Sequence, residues 1–171
     1  MTSAEPPPTV PLNVADRLRG MARTMPETIA VAEPSRCDRS GRRSYRHVTF
    51  SELDADADRL ARGLIELGAR PAMRLVLLVP PGIDFVALVF ALLRTGSVTV
   101  LIDPGMGRRS LVDSLAAVRP DGFVAIAKGH LARQLFTRRF PAARLNVTVA
   151  GRWPRSGPTL DRLRALGDAS L

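Results

Sequence analysis

The stretch Arg74-Leu75-Val76-Leu77-Leu78-Val79 is apolar without alternation after its first residue. A strand of that kind is buried on both faces, as in a parallel sheet covered by helices. Further strands are expected at Ser97 to Ile102, Gly122 to Ala127 and Leu145 to Val149. Helical patterns separate them. Residues 83–93 (IDFVALVFALL) are apolar nearly all round, which predicts a buried helix. Leu111, Leu115 and Val118 predict a helix stopped by Pro120. Lys128 to Arg139 predicts another, with Leu131, Leu135 and Phe136 facing inward. Strand and helix alternate from residue 45 to 149, so the expected fold is α/β: right-handed βαβ units in a mostly parallel, doubly wound sheet.

The front of the chain is less regular. Residues 1–11 read as a disordered leader. Asn13 is placed to cap a helix in which Val14, Leu18 and Met21 recur at helical spacing, ending at Pro26. Thr28 to Ala32 reads as a short strand, residues 33–44 as a polar loop, and Tyr45 to Phe50 as a strand. Ser51 and Asp54 have the form of a capping box. The helix after it carries an apolar stripe of Leu53, Ala57, Leu60, Ala61 and Leu64, with Gly68 and Pro71 as stop signals. Residues 12–150 form the expected α/β domain, and 151–171 a loop followed by a short helix.

Hydrophobic residues make up 46% of the 171, which fits a packed core rather than a disordered chain. The net charge of +9 raises the question of an anionic partner. Lys128 is the one lysine, and the arginines are scattered rather than blocked. With aromatics at 5%, a basic nucleic-acid module ranks last among the readings. Cys37 stands alone, so no disulfide forms within the chain. The longest apolar run, Phe85 to Leu93, is far short of the ~20 residues that span a bilayer. The opening residues carry no secretion signal, and a cytoplasmic protein is the default expectation.

The most pointed chemical feature is DPGMGRRS, residues 103–110, between a buried strand and a helix. Glycines and free N–H groups at a helix start attract phosphate, and Arg108 and Arg109 add charge. It lacks the GKS/T ending of a phosphate loop and the third glycine of a dinucleotide fingerprint, so the plainer reading is a structural turn. A small Rossmann-like module holding a phosphate ligand there is the alternative. His47 and His130 have no ligand companions at metal spacing. Asp54, Asp56 and Asp58 read as a solvated helix face, Trp153 as a locally packed ring, and Asn146-Val147-Thr148 as a chance glycosylation match.

Two stretches narrow the reading. Residues 48–64, VTFSELDADADRLARGL, and 92–104, LLRTGSVTVLIDP, resemble two early signatures of the acyl-adenylate-forming (AMP-dependent synthetase/ligase) superfamily. In the second, Leu93, Arg94, Gly96 and Asp103 hold matching positions, and Leu101 replaces the usual proline. The resemblance spans residues 12–150. The turn PGMGR, with the later RFP, RWP and GPTL, resembles the branch of olefin-pathway β-lactone synthetases and fatty-acid–CoA ligases.

That resemblance implies an ATP- and Mg2+-dependent reaction in which a fatty or β-hydroxy fatty acid becomes an acyl-adenylate. Coenzyme A or the substrate's own β-hydroxyl then displaces AMP. The family's Ser/Thr/Gly-rich phosphate loop and its catalytic lysine have no counterpart among these residues. The expectation is an N-terminal portion without catalytic residues, metal ligands or a cofactor of its own. Its partner would be the remainder of the ligase or a homologous subunit, meeting an exposed sheet face. Asp103, Gly105, Gly107 and Arg108 are at most scaffold positions along the ligase cleft.

Overall fold

The computed structural model describes residues 13–37, 42–102, 108–151, 154 and 157–170. Helix α1 (Val14–Thr24) starts where the Asn13 side chain accepts from the Ala15 N–H, as the sequence suggests. Leu18 is buried as its spacing predicts, together with Ala15, whereas Val14 faces solvent.

Two strands follow, β1 (Ile29–Cys37) and β2 (Arg43–Thr49), paired antiparallel in a separate two-stranded ribbon. The polar loop expected from residue 33 is therefore half strand. Polar side chains are no bar to a ribbon that is largely exposed, and Pro34 sits where the register shifts. The strand expected at 45–50 also lies outside the main sheet.

Helix α2 (Phe50–Glu66) is capped by Thr49 and Glu52, not by Ser51 and Asp54. The Thr49 hydroxyl accepts from the Glu52 N–H, and the Glu52 carboxylate accepts from the Thr49 N–H. Both pairs have the right spacing. The structure uses the one whose third residue is the longer glutamate, which reaches back over the first turn. Leu53, Ala57, Leu60, Ala61 and Leu64 are all buried, as their spacing predicts. At the far end Gly68 has φ +95°, its N–H bonds to the Ile65 carbonyl, and the Ala69 N–H bonds to that of Leu64. Those two bonds form a Schellman stop.

The remaining elements are β3 (Arg74–Leu78), α3 (Ile83–Arg94), β4 (Val98–Leu101), α4 (Arg108–Val118), β5 (Gly122–Ala125), α5 (Ala127–Leu135), a 3-10 turn (Thr137–Arg139), β6 (Leu145–Thr148) and α6 (Leu160–Ala169). The four strands form a parallel sheet in the order β4-β3-β5-β6. Alternate side chains divide the core. Leu75, Leu77, Val124 and Val147 pack with α1, α2, α3 and α6, and Val76 and Phe123 pack with Val112, Leu115 and Phe140 on the other face. The doubly wound α/β fold expected from the apolar runs is thus present.

Two local expectations are corrected. β4 is an edge strand, and Val98 and Leu101 are 49% and 55% exposed rather than buried. α5 ends at Leu135, and Leu131, Leu135 and Phe136 point outward, while His130 takes the inward position. Among the described residues, large apolar side chains are exposed on the β4 edge and outer α5, and also at Val14 of α1, Ile29 of β1 and Ile65 of α2.

α6 lies across α2 at very short range. A Cβ placed on Gly63 would sit 2.1 Å from the Leu163 carbonyl oxygen, and one on Gly167 would sit 1.9 Å from that of Arg59. Only glycine at both positions permits this approach.

Candidate functional site at the carboxyl ends of the strands

In open parallel sheets, ligands enter where consecutive strands diverge to opposite sides, at the strands' carboxyl ends. Here β3 leads to β4 on one side, and the chain then returns to β5 on the other. α4 and α5 flank that point. Between them lies a crevice of about 720 Å³, within the about 300–1,000 Å³ range of small-molecule sites. Leu77 and Leu78 of β3, Leu101 of β4, Phe123 of β5, and Leu111 and Leu115 of α4 supply apolar walls. Val79, Pro80 and Pro81 close it beyond the strand ends. Its only charged lining residues among those described are Lys128 and Arg133, both on α5. Burial pulls the Arg133 guanidinium below its ordinary pKa.

Gly129 allows α5 to lie close to the sheet. A Cβ there would come 2.9 Å from that of Ala125. One residue on, the His130 ring is fully buried, and its Nε2 lies 2.9 Å from the Val147 carbonyl oxygen. A carbonyl only accepts, so Nε2 carries the proton in the neutral ring. Nδ1 is buried with no hydrogen-bond partner. Burial holds the His130 pKa below its usual value; the Val147 carbonyl works against that, and the charge on Arg133 adds to it. The lone-histidine pattern gave no hint of this, because a histidine's burial depends on helix rotation rather than on spacing.

A second crevice of about 830 Å³ opens past β6, lined by Asp84, Thr148, Gly157, Thr159 and Arg164 among others. The Thr148 N–H donates to the Pro158 carbonyl there, continuing the sheet by one bridge to Thr159. Thr148 is buried, so the Asn146-Val147-Thr148 tripeptide belongs to the sheet and not to an accessible glycosylation loop.

Of the residues singled out in the sequence, Asp103, Gly105 and Gly107 lie outside the described residues. Trp153 does as well. Arg108 is the first residue of α4, and its side chain is not among those described. His47 is exposed on β2 beside Tyr45, with ring centroids 6.4 Å apart.

Asp54, Asp56 and Asp58 do not form a solvated face. At about 100° per residue, Asp54 and Asp58 share one side of α2 and Asp56 takes the other. Asp54 is paired with Arg94 of α3. Asp58 is paired with Arg62 of its own helix, and lies 3.5 Å from both Arg19 of α1 and Arg94. Asp56 binds Arg164 of α6, which also reaches Asp84 of α3 at 2.7 Å. The aspartates raise the Arg164 pKa against the opposing effect of burial. These acids therefore tie α2 to its three neighbours. Several of the scattered arginines are consumed in the same way, which weakens a nucleic-acid reading of the positive charge.

Among the described residues no three His, Cys, Asp or Glu side chains converge as a metal site, and the acids of α2 are paired with arginines. No described helix is long and apolar enough to cross a membrane.

The family model for AMP-binding enzymes matches residues 18–158. The chain is 38% identical over 159 residues to an olefin β-lactone synthetase of Stenotrophomonas maltophilia, covering 92% of this chain and 29% of that protein. It is 40% identical over 88 residues to a salicyl-AMP ligase of Mycobacterium tuberculosis, covering 52% of this chain and 15% of that one. Among solved structures, a long-chain-fatty-acid-CoA ligase of Archaeoglobus fulgidus superposes with a TM-score of 0.76 at 21% identity, over 91% of this chain and 30% of that one. At that identity the likeness speaks for the fold. The chain thus spans less than a third of the length of these relatives. It belongs to the AMP-binding enzyme family of acyl-adenylate-forming ligases, with a likeness that runs to the olefin β-lactone synthetase branch.

Proposed function

We propose that this chain supplies the first α/β unit of a cytoplasmic, ATP-dependent, AMP-forming ligase acting on a β-hydroxy fatty acid. The unit does not adenylate by itself. The observation that carries the reading is the 38% identity to an olefin β-lactone synthetase across 92% of the chain. The apolar crevice with a cationic rim supports an acid substrate with an alkyl chain. The residues that would hold ATP and Mg2+ come from the remainder of the ligase, which is the partner of this unit. In the whole enzyme the β-hydroxyl oxygen would attack the carbonyl carbon of the acyl-adenylate, its proton passing to solvent as the bond to AMP breaks; the related acyl-CoA ligases use a thiol instead.

The test is a chimera. Residues 18–158 replace the matching segment of the Stenotrophomonas synthetase. The expected result is AMP release and β-lactone formation from a β-hydroxy fatty acid, with neither from the isolated chain. A chimera that melts cooperatively yet exchanges no pyrophosphate into ATP with any alkanoic or β-hydroxy acid would overturn the proposal.

A further inference from the structure

We propose that the crevice between α4 and α5 is itself a binding site for the alkyl tail of an amphipathic carboxylate, with the carboxylate at the rim beside Lys128. The choice of a fatty acid as ligand rests on the acid-ligase reading above. The site itself rests on geometry. The crevice is concave and holds about 720 Å³, and it reaches Leu115 and Phe123 of the second core cluster. Its described lining contains no Asp or Glu, and its only charges are the two cations of α5. Apolar walls with one exposed cation, Lys128, among the lining residues match a molecule with an alkyl chain and one anionic end. A neutral apolar ligand would leave the rim unused, and a compact anion such as phosphate would leave the walls unused. Lys128 is exposed, so it can reach a headgroup without leaving the helix.

The experiment is calorimetric titration of the purified full chain with saturated fatty acids from hexanoate to dodecanoate, below their micelle concentrations. Affinity is expected to rise about fourfold per added methylene until the crevice is full. Ala132→Leu, which adds volume to a lining position of α5, should weaken dodecanoate binding about tenfold. Leu111→Trp repeats that test from α4 if the first variant does not fold. Lys128→Glu should weaken dodecanoate about tenfold and leave dodecanol unchanged. Affinity independent of chain length, or equal binding by the wild type and a folded filled variant, would overturn the site. Equal effects of Lys128→Glu on acid and alcohol would overturn the headgroup assignment. Binding by the isolated chain needs no nucleotide chemistry, so failure here leaves the chimera result intact, and an inactive chimera leaves this binding intact.

Discussion

Arg164 of α6 grips Asp56 of α2 at two points, with Nε and Nη2 each 2.8 Å from a carboxylate oxygen. The pair is half-buried, and a third hydrogen bond to Asp84 ties in α3. Removing one partner leaves a poorly solvated charge. Asp56→Asn should lower the unfolding free energy by about 1–3 kcal/mol in urea titrations. Arg164→Lys should lose most of the same stability, because an ammonium cannot make the forked contact. Full retention of stability in Arg164→Lys would show that the fork is not what matters.

The crossing of α2 and α6 depends on two glycines. Gly63→Ala and Gly167→Ala each drive a methyl into a backbone carbonyl of the facing helix. The helices must separate, at a cost of about 1–3 kcal/mol. Gly20→Ala in α1 meets nothing within 4 Å and should stabilise by about 0.5–1 kcal/mol. Thermal melts of the three variants check the contrast, which is lost if all three shift the same way.

Glu33 of β1 caps a helix from outside it. Gly82 gives α3 no side-chain cap, and the Glu33 carboxylate accepts from the Ile83 N–H at 3.1 Å and from Arg46 Nη2 at 3.1 Å. The Ile83 N–H first, then Arg46, hold its pKa below the usual range. With the folded value depressed, its stabilisation is complete above the unfolded value of about 4.3 and is lost as pH falls through the folded one. Glu33→Gln should flatten the melting temperature's decline below pH ~5. Parallel wild-type and variant curves in that range would count against the cap.

His130 titrates in a higher window. Its folded pKa is depressed by burial, so the unfolded chain binds the proton more tightly. Stability is complete above the unfolded value of about 6.5 and falls as pH drops below it. His130→Gln keeps a donor for the Val147 carbonyl and removes the titration. It should abolish the slope of stability with pH just below ~6.5, measured by urea midpoints at closely spaced pH. An unchanged slope would place the titrating group elsewhere.

The long-range pattern of this fold is legible in the chain, because burial on both faces leaves runs such as Leu75 to Leu78 no freedom to be polar. The stripe of α2 is readable for the related reason that one helix face must be apolar. What escapes is whatever depends on a neighbour. β1 and β2 pair with each other in the open, so their residues carry no burial signal. Leu131, Leu135 and Phe136 have helical spacing, yet the short α5 turns His130 inward. The three aspartates of α2 look solvated until arginines from three other helices arrive. The apolar crevice combines residues from six elements and has no signature in any one of them.

Twenty-four of the chain's 25 basic side chains are guanidines, and the remaining one, Lys128, stands at the mouth of that crevice. Reductive methylation needs an amine and passes over guanidines. Apart from the terminal amine, it modifies this chain at one side chain only. Reductive methylation with labelled formaldehyde would therefore place a single reporter resonance at the rim. Occupancy of the crevice could then be followed by NMR without a substitution, a reporter that the chain's preference for arginine supplies.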